Sequence, residues 1–379
     1  MRVAVWGATG VLGTEVARLL NERHWELTLV GRDRAKLASL SAQLTPSRMV
    51  IGPSNVAELD SLFRTNDACV NCAPLMAATL PLAAAANRNA CHFLDLSGEQ
   101  EVIGSLIAAD GLLTGDAAII PACGFDYALG DYLAVVLAGT AREPLAELRF
   151  YYAVAGGYVV GNSLKASRRR RRPRDLERRQ GRQVSAPLVQ ANRRYTFPVL
   201  GRRTVVRFGS GEALLAAVHS CAGDVRAYID VTALLPLRFL TPVFPVLRPL
   251  AAWILSRDSF ARVSDAVRHG RQGLKPHEVT TQHESSLKKG YFVVAAEGSN
   301  GEGRTWRAAV FGEHSETLSA VLVDQTLHGL LHSSRGVGLM TPGMVFDPAS
   351  LTKALAELGI EVSGGAAGAV RVSNRDRLR

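Results

Sequence analysis

The chain has 379 residues, 47% of them hydrophobic and 21% charged, with 35 glycines; this excludes a disordered or fibrous chain and leaves length for two or three domains with sizeable cores. The formal net charge is +10, but nine arginines fall between Arg168 and Arg182 against only Asp175 and Glu177. The basicity is therefore one patch without interleaved aromatics, which argues against a nucleic-acid partner and for a solvated loop or helix end, or for docking of an acidic carrier protein, a CoA phosphate or anionic lipid. Five cysteines, odd in number and mostly in apolar runs, read as reduced thiols. With no basic leader and apolar run ahead of the first strand, a cytoplasmic location is expected.

The first element is an apolar strand ending at Trp6, which runs into Gly7-Ala8-Thr9-Gly10 and then into an amphipathic stretch from Val11 to Leu20. Strand, tight turn and helix in that order, with Gly7, Gly10 and Gly13 spaced three apart, aim the backbone N–H groups of Thr9, Gly10, Val11, Leu12 and Gly13 at one point. A pyrophosphate fits such a point, because orphan amides and the positive end of the helix dipole favour anions. A side chain on Gly10 or Gly13 is expected to abolish dinucleotide binding and leave the fold largely intact.

Further strands are read in "ELTLVG", "RMVIG", "ACVNCAP", "HFLDLSG" and "AAIIPACG". Helical stretches separate them at Ala35 to Leu44, Val56 to Phe63, Ala77 to Asn87 and Glu99 to Ala109. Alternation of this kind predicts a Rossmann-type, doubly wound parallel sheet with helices on both faces over residues 1–140. At the end of the second strand stand Gly31 and Arg32, where a guanidinium suits the 2′-phosphate of NADPH. Asp33 beside it either reaches the ribose or caps the next helix. NADPH is the expected cofactor, bound more tightly than NADH.

Other chemistries are excluded by spacing. Cys69 and Cys72 form a CxxC with no second pair, and on a strand they point to opposite faces as buried hydrophobes. No tyrosine is followed four residues later by lysine, no His pair has HxxxH spacing in a Cys- or Glu-rich setting, and no GxSxG or Walker sequence occurs. No metal site is expected.

Beyond residue 140 the pattern turns to strands, as in "AELRFYYAVAG", "RAYIDVTALL" and "GYFVVAAEG", with a hairpin signal "GSNGEG" before "RTWRAAVFG". A second α+β domain with a mixed sheet is expected over 141–335, with 336–379 packing back on the first domain. "GGYVVGNSLKAS" reads as a Gly-rich turn into a helix, offering Tyr158, Asn162, Ser163 and Lys165 as substrate contacts or caps. The apolar stretch 231–255 contains four prolines and two arginines. It is a buried element, an apolar channel or an interfacial segment touching a membrane, rather than a span.

"GATGVLGTEVARLL", "CVNCAPL", "HFLDLSGEQE", "PACGFDYALGD" and "GVGLMTPGMVFDPASLTKALAELGIEV" together resemble the saccharopine dehydrogenase-like oxidoreductases, in particular the branch of trans-acting enoyl reductases. The resemblance implies an NADPH-binding Rossmann domain, a second domain around a mixed sheet, and hydride transfer in the cleft between them. It implies cofactor contacts from Ala73, Pro74, Ser97, Gly98, Cys123, Gly124 and Phe125 in addition to the glycine turn and Arg32. Asp126 reads as the cap of a helix beginning at Tyr127, or as a group that orients substrate; Tyr127 reads as a packed aromatic or a proton donor. The expected function is reduction of the C=C bond of a largely apolar substrate, free or carrier-bound. The alternatives are a saccharopine-type C=N reductase acting on an amino-acid-like substrate, and a non-catalytic, lipid-associated NADPH-binding protein. A homodimer through the second domain is expected.

Overall fold

In the computed structural model the described residues are 1–45, 47–52, 55–155, 175–186, 192–220, 222–230, 291–313, 317–332 and 337–366. The chain begins β1 (Arg2–Trp6), α1 (Val11–Glu22), β2 (Glu26–Gly31), α2 (Arg34–Ser41), β3 (Arg48–Ile51), α3 (Val56–Arg64), β4 (Ala68–Asn71), α4 (Thr79–Arg88), β5 (His92–Asp95), α5 (Gln100–Ala108), β6 (Ala118–Ile120) and α6 (Phe125–Ala141). The strands are parallel in the order β3-β2-β1-β4-β5-β6. This is the doubly wound sheet that the alternation predicts.

Side-chain alternation explains the layering. Val3, Val5, Leu29, Val70, Leu94 and Ile120 face one side with α1 and α2; Ala4, Val30, Cys69, Phe93 and Ile119 face the other with α3, α4 and α5. Both faces are covered, so the strands read as apolar runs. Cys69 and Cys72 divide between the two sides as their spacing requires.

The chain continues through β7 (Glu147–Ala155), β8 (Asp175–Arg179), β9 (Arg182–Ala186), β10 (Asn192–Phe197), β11 (Gly201–Phe208), α7 (Glu212–His219), β12 (Asp224–Asp230), β13 (Tyr291–Ser299), β14 (Thr305–Glu313), α8 (Thr317–His332), β15 (Gly338–Leu339), α9 (Pro342–Val345), α10 (Pro348–Glu357) and β16 (Glu361–Ala366). These build a mixed sheet in the order β10-β11-β12-β7-β13-β14-β16, with the hairpin β8–β9 joined to β12. The "GSNGEG" signal does form the β13–β14 hairpin, whose turn Asn300 holds by accepting from the N–H groups of Glu302 and Arg304 at 3.1 and 2.8 Å. Leu148, Phe150, Val225, Phe292 and Val294 of this sheet pack with Leu129, Leu133 and Leu137 of α6. On the opposite face Tyr195, at the far edge of the sheet order, stacks on the buried Tyr151 with ring centroids 3.7 Å apart; the β10–β11 hairpin therefore curls over that face.

The end of the chain serves both sheets. β15 extends the first by pairing with β6, and β16 pairs with β14 of the second. Ahead of both, α8 lies on α1, where Trp25 donates from Nε1 to Asp324 at 2.8 Å.

Two expectations are corrected. The last part of the arginine run is a β-hairpin rather than a loop or helix end: Glu177, 2% exposed, lies between Arg179 and Arg207, and Gln180 and Gly181 turn the chain with positive φ. The helix after Gly124 begins at Phe125 with Gly124 as its N-cap; Asp126 lies inside the first turn and is not the cap. Residues 168–174, Tyr158, Asn162, Ser163, Lys165 and the stretch 231–255 lie outside the described residues. Among the described residues no helix is long and apolar enough to cross a membrane, and no group of three or more His, Cys, Asp or Glu side chains could hold a metal ion.

Candidate cofactor-binding site

The turn after β1 is set by its backbone. Gly7 has φ +78°, a conformation that side chains disfavour. The N–H groups of Gly7 and Ala8 both donate to the carbonyl of Val30 at 2.9 and 3.1 Å, which anchors the turn to the end of β2. α1 then starts at Gly10, with no side chain capping it and no acidic residue in its first turn. Its leading amides and dipole end are thus open to an anion. A Cβ on Gly10 would meet only the carbonyl of Gly7, at 3.3 Å, whereas one on Gly13 would stand 2.2 Å from that same oxygen and 2.9 Å from the Cα of Ala8. Gly10 leaves room for a ligand; Gly13 lets helix and strand approach. Thr9 is half-buried, Val11 is exposed and Leu12 packs on the core beneath.

At the end of β2, Asp33 caps α2 by accepting from the backbone N–H of Lys36 at 3.1 Å. That resolves its two readings toward the cap. Arg32 is exposed and makes no hydrogen bond or ion pair among the described residues, so its guanidinium is free for an anionic partner.

The carboxyl ends of β4, β5 and β6 lie side by side. Ala73 sits against the glycine turn, since a Cβ on Gly7 would come 3.0 Å from that of Ala73. Pro74 is exposed beside it. Asp95, the last residue of β5, has no exposure. It accepts from Asn71 Nδ2 at 2.6 Å, from the backbone N–H of Ser97 at 3.2 Å and from Ser97 Oγ at 3.2 Å. Burial pushes its carboxyl up to about 6, against the downward pull of the bonds from Asn71 and Ser97. Asn71 in turn accepts from the N–H of Ala73 at 3.1 Å. The Asp95 carbonyl accepts from the N–H of Cys123 at 2.8 Å, just after Ala122, which is held at φ +55°. Cys123 is buried against Thr326 Oγ1 at 3.1 Å, and the Phe125 N–H donates to Ser319 Oγ at 3.1 Å, so α8 supports this loop.

The structure thus brings Gly7, Ala73, Ser97 and Cys123 to adjacent loops along one edge of the sheet, with Gly98 after Ser97 and Gly124 and Phe125 opening α6. Tyr127 packs in the first turn of α6 with Ile103, Ala122, Leu214 and Leu215. A Cβ on Gly211 would come 2.6 Å from its ring, so the phenol stands where α7 of the second sheet meets the first. Asp95 and Asn71 are missing from the sequence reading. Their signal was a polar residue closing each of the apolar runs "ACVN" and "HFLD", and their partnership spans 24 residues.

Residues 3–132 match a family described as the saccharopine dehydrogenase NADP binding domain. No curated protein matches the chain in sequence. Among solved structures, the L-Glu-forming saccharopine dehydrogenase of Saccharomyces cerevisiae is 14% identical, with a TM-score of 0.60 over 96% of this chain and 99% of that one. The WlbA dehydrogenase of Thermus thermophilus, solved with NAD and α-ketoglutarate, is 13% identical, with a TM-score of 0.38 over 89% of this chain and 90% of that one.

Proposed function

Because residues 3–132 match the saccharopine dehydrogenase NADP-binding domain family, we propose that this protein is an NADPH-dependent reductase that adds hydride to a polarised C=N or C=C bond. The observation that carries the reading is the turn at Gly7 and Gly10: a positive φ, an uncapped helix start and only the Gly7 carbonyl close to Gly10 form a cradle that fits a pyrophosphate. The free Arg32 lies where a 2′-phosphate would be held.

The chemistry that bound NADPH would supply is a hydride from its reduced nicotinamide. The chain's own groups supply binding and orientation. The amides of the first turn of α1 would hold the phosphates, Arg32 would select the 2′-phosphate, and the loops bearing Ala73, Pro74, Ser97, Gly98, Cys123, Gly124 and Phe125 would take the other half of the dinucleotide. We assign Tyr127, at the meeting of α6 and α7, the proton delivered to the reduced substrate.

Two substrate readings are each favoured by one observation. The fold shared with a saccharopine dehydrogenase over both sheets favours a C=N bond; the apolar surroundings of Tyr127, with Ile103, Leu214 and Leu215, favour an enoyl group. Following NADPH oxidation with an α-keto acid plus an amine, and separately with an enoyl thioester, distinguishes them. Arg32→Ala should weaken NADPH binding about tenfold or more and leave NADH unchanged, the loss expected for a charge-assisted hydrogen bond. Equal NADPH and NADH affinities in the unmutated protein would refute the role of Arg32. Failure of both nucleotides to bind would refute the cofactor reading.

A further inference from the structure

Asp95 is a charge placed where none is needed for packing. It is fully buried at the centre of the sheet's carboxyl edge, between Asn71 of β4 and the loop after β5, where an apolar residue would avoid the desolvation cost. Its hydrogen bonds have a direction. A carboxylate only accepts, so Asn71 must turn its amide nitrogen toward Asp95, which leaves the Asn71 amide oxygen to accept from the N–H of Ala73. The second carboxylate oxygen fixes the Ser97 backbone, and Ser97 Oγ returns to the first. One buried group therefore sets the orientation of two neighbouring loops, while the glycine turn and Arg32 lie on the β1–β2 side of the point where strand order reverses. Dinucleotides lie across that point, with their two halves on opposite sides.

We propose that Asp95 is a positioning residue for the nicotinamide half of the bound dinucleotide, acting through Asn71 on Ala73 and directly on Ser97. The inference rests on the cofactor reading above and adds a role that is local to one half of the ligand. Protonation of Asp95 removes an acceptor from this arrangement. The ionisable groups around it are Glu99 beyond the loop and the thiols of Cys69, Cys72 and Cys123, which burial holds protonated. Among these groups, Asp95 titrates near pH 6.

The test compares two ligands on the full chain: NADP⁺, and 2′,5′-ADP, which carries the adenosine with its 2′- and 5′-phosphates and lacks the nicotinamide half. Asp95→Asn should raise the Kd for NADP⁺ about tenfold, as expected for loss of hydrogen bonds to a charged group, and leave the Kd for 2′,5′-ADP unchanged. The ratio of the NADP⁺ to the 2′,5′-ADP affinity in the unmutated protein, divided by the same ratio in Asp95→Asn, should fall as pH is lowered through about 6. The comparison with Asp95→Asn removes the titration of the ligands' own phosphates, including the 5′-phosphate monoester that only 2′,5′-ADP carries. Asn71→Ser and Ser97→Ala each remove one arm and keep the carboxylate, so each should give a smaller loss for NADP⁺ alone even if Asp95→Asn folds poorly. An unchanged Kd for NADP⁺, or an equal rise for both ligands, would overturn the proposal. Binding of neither ligand to the unmutated protein would instead overturn the cofactor reading on which it rests.

Discussion

Gly10 and Gly13 stand three residues apart in one turn, yet the structure gives them different neighbours. A side chain on Gly10 enters the space left for a ligand, so Gly10→Val should bind no NADPH while its urea midpoint stays that of the parent protein. On Gly13 the first added carbon would lie 2.2 Å from the carbonyl of Gly7, which forces helix from strand. Gly13→Val should therefore lose roughly 2–3 kcal/mol of stability, the scale of overpacking, as well as the cofactor. In sequence the two glycines look alike, because spacing reports a turn but not what each Cα faces. Asp95 is inconspicuous there for a related reason. Its partners are on another strand, and a single acidic residue at the end of an apolar run carries no sign of being fully buried.

At the scale of elements, α6, α7 and α9 are joined by one polar contact. His219 Nε2 of α7 lies 2.7 Å from Asp131 of α6, whose other oxygen accepts from the N–H of Gly343 in α9 at 2.7 Å. Burial favours the neutral imidazole, but the hydrogen bond and charge of Asp131 outweigh it and hold the pKa of His219 above 6.5. Because the folded value is the higher one, this stabilisation is complete below about pH 6.5 and is lost as pH rises through the folded pKa. Urea midpoints should thus fall between pH 6 and pH 9 in the parent protein through this contact, and His219→Gln should remove that part of the slope. Most elements were legible because their apolar spacing is local: β1 to β6 read as strands through burial on both faces, and β13–β14 through its glycine turn. The β8–β9 hairpin was not. Arg178, Arg179 and Arg182 look solvated in sequence, whereas Glu177 draws Arg179 and the distant Arg207 together across it.

Across the whole molecule, the two sheets are latched at Gln100. Its Nε2 donates to the carbonyls of Leu176 at 2.9 Å and Ser210 at 2.7 Å, and its Oε1 accepts from the N–H of Leu176 at 2.8 Å. These bonds cross 76 and 110 residues of sequence, beyond the reach of any periodicity. Gln100→Ala should speed hydrogen exchange at the Leu176 amide. Gln100→Glu should be worse at alkaline pH, since an ionised carboxylate would face two carbonyl oxygens, by about 1–3 kcal/mol; the excess should vanish in acid, when the group carries a proton. Equal urea midpoints for the two variants at both extremes of pH would show that the latch contributes no directional bond.

The placement of α8 on α1 bears on how the chain acquires its structure. Val16, Ala17 and Leu20 share a core with Ala320, Val323, Leu327 and Leu330, so the face of the first sheet that α1 and α2 begin to cover is completed only when residues some three hundred positions later have been synthesised. During translation that face stays open, and closure is an event of long sequence separation, hence slow and dependent on protection from aggregation. A polypeptide ending at Ala141 carries every strand from β1 to β6 and the whole glycine turn. It should nevertheless be recovered as an aggregate or a loosely packed species, whereas the full chain refolds. Recovery of that fragment as a soluble monomer with native-like NADPH affinity would mean that the late helix only reinforces a unit already able to form alone.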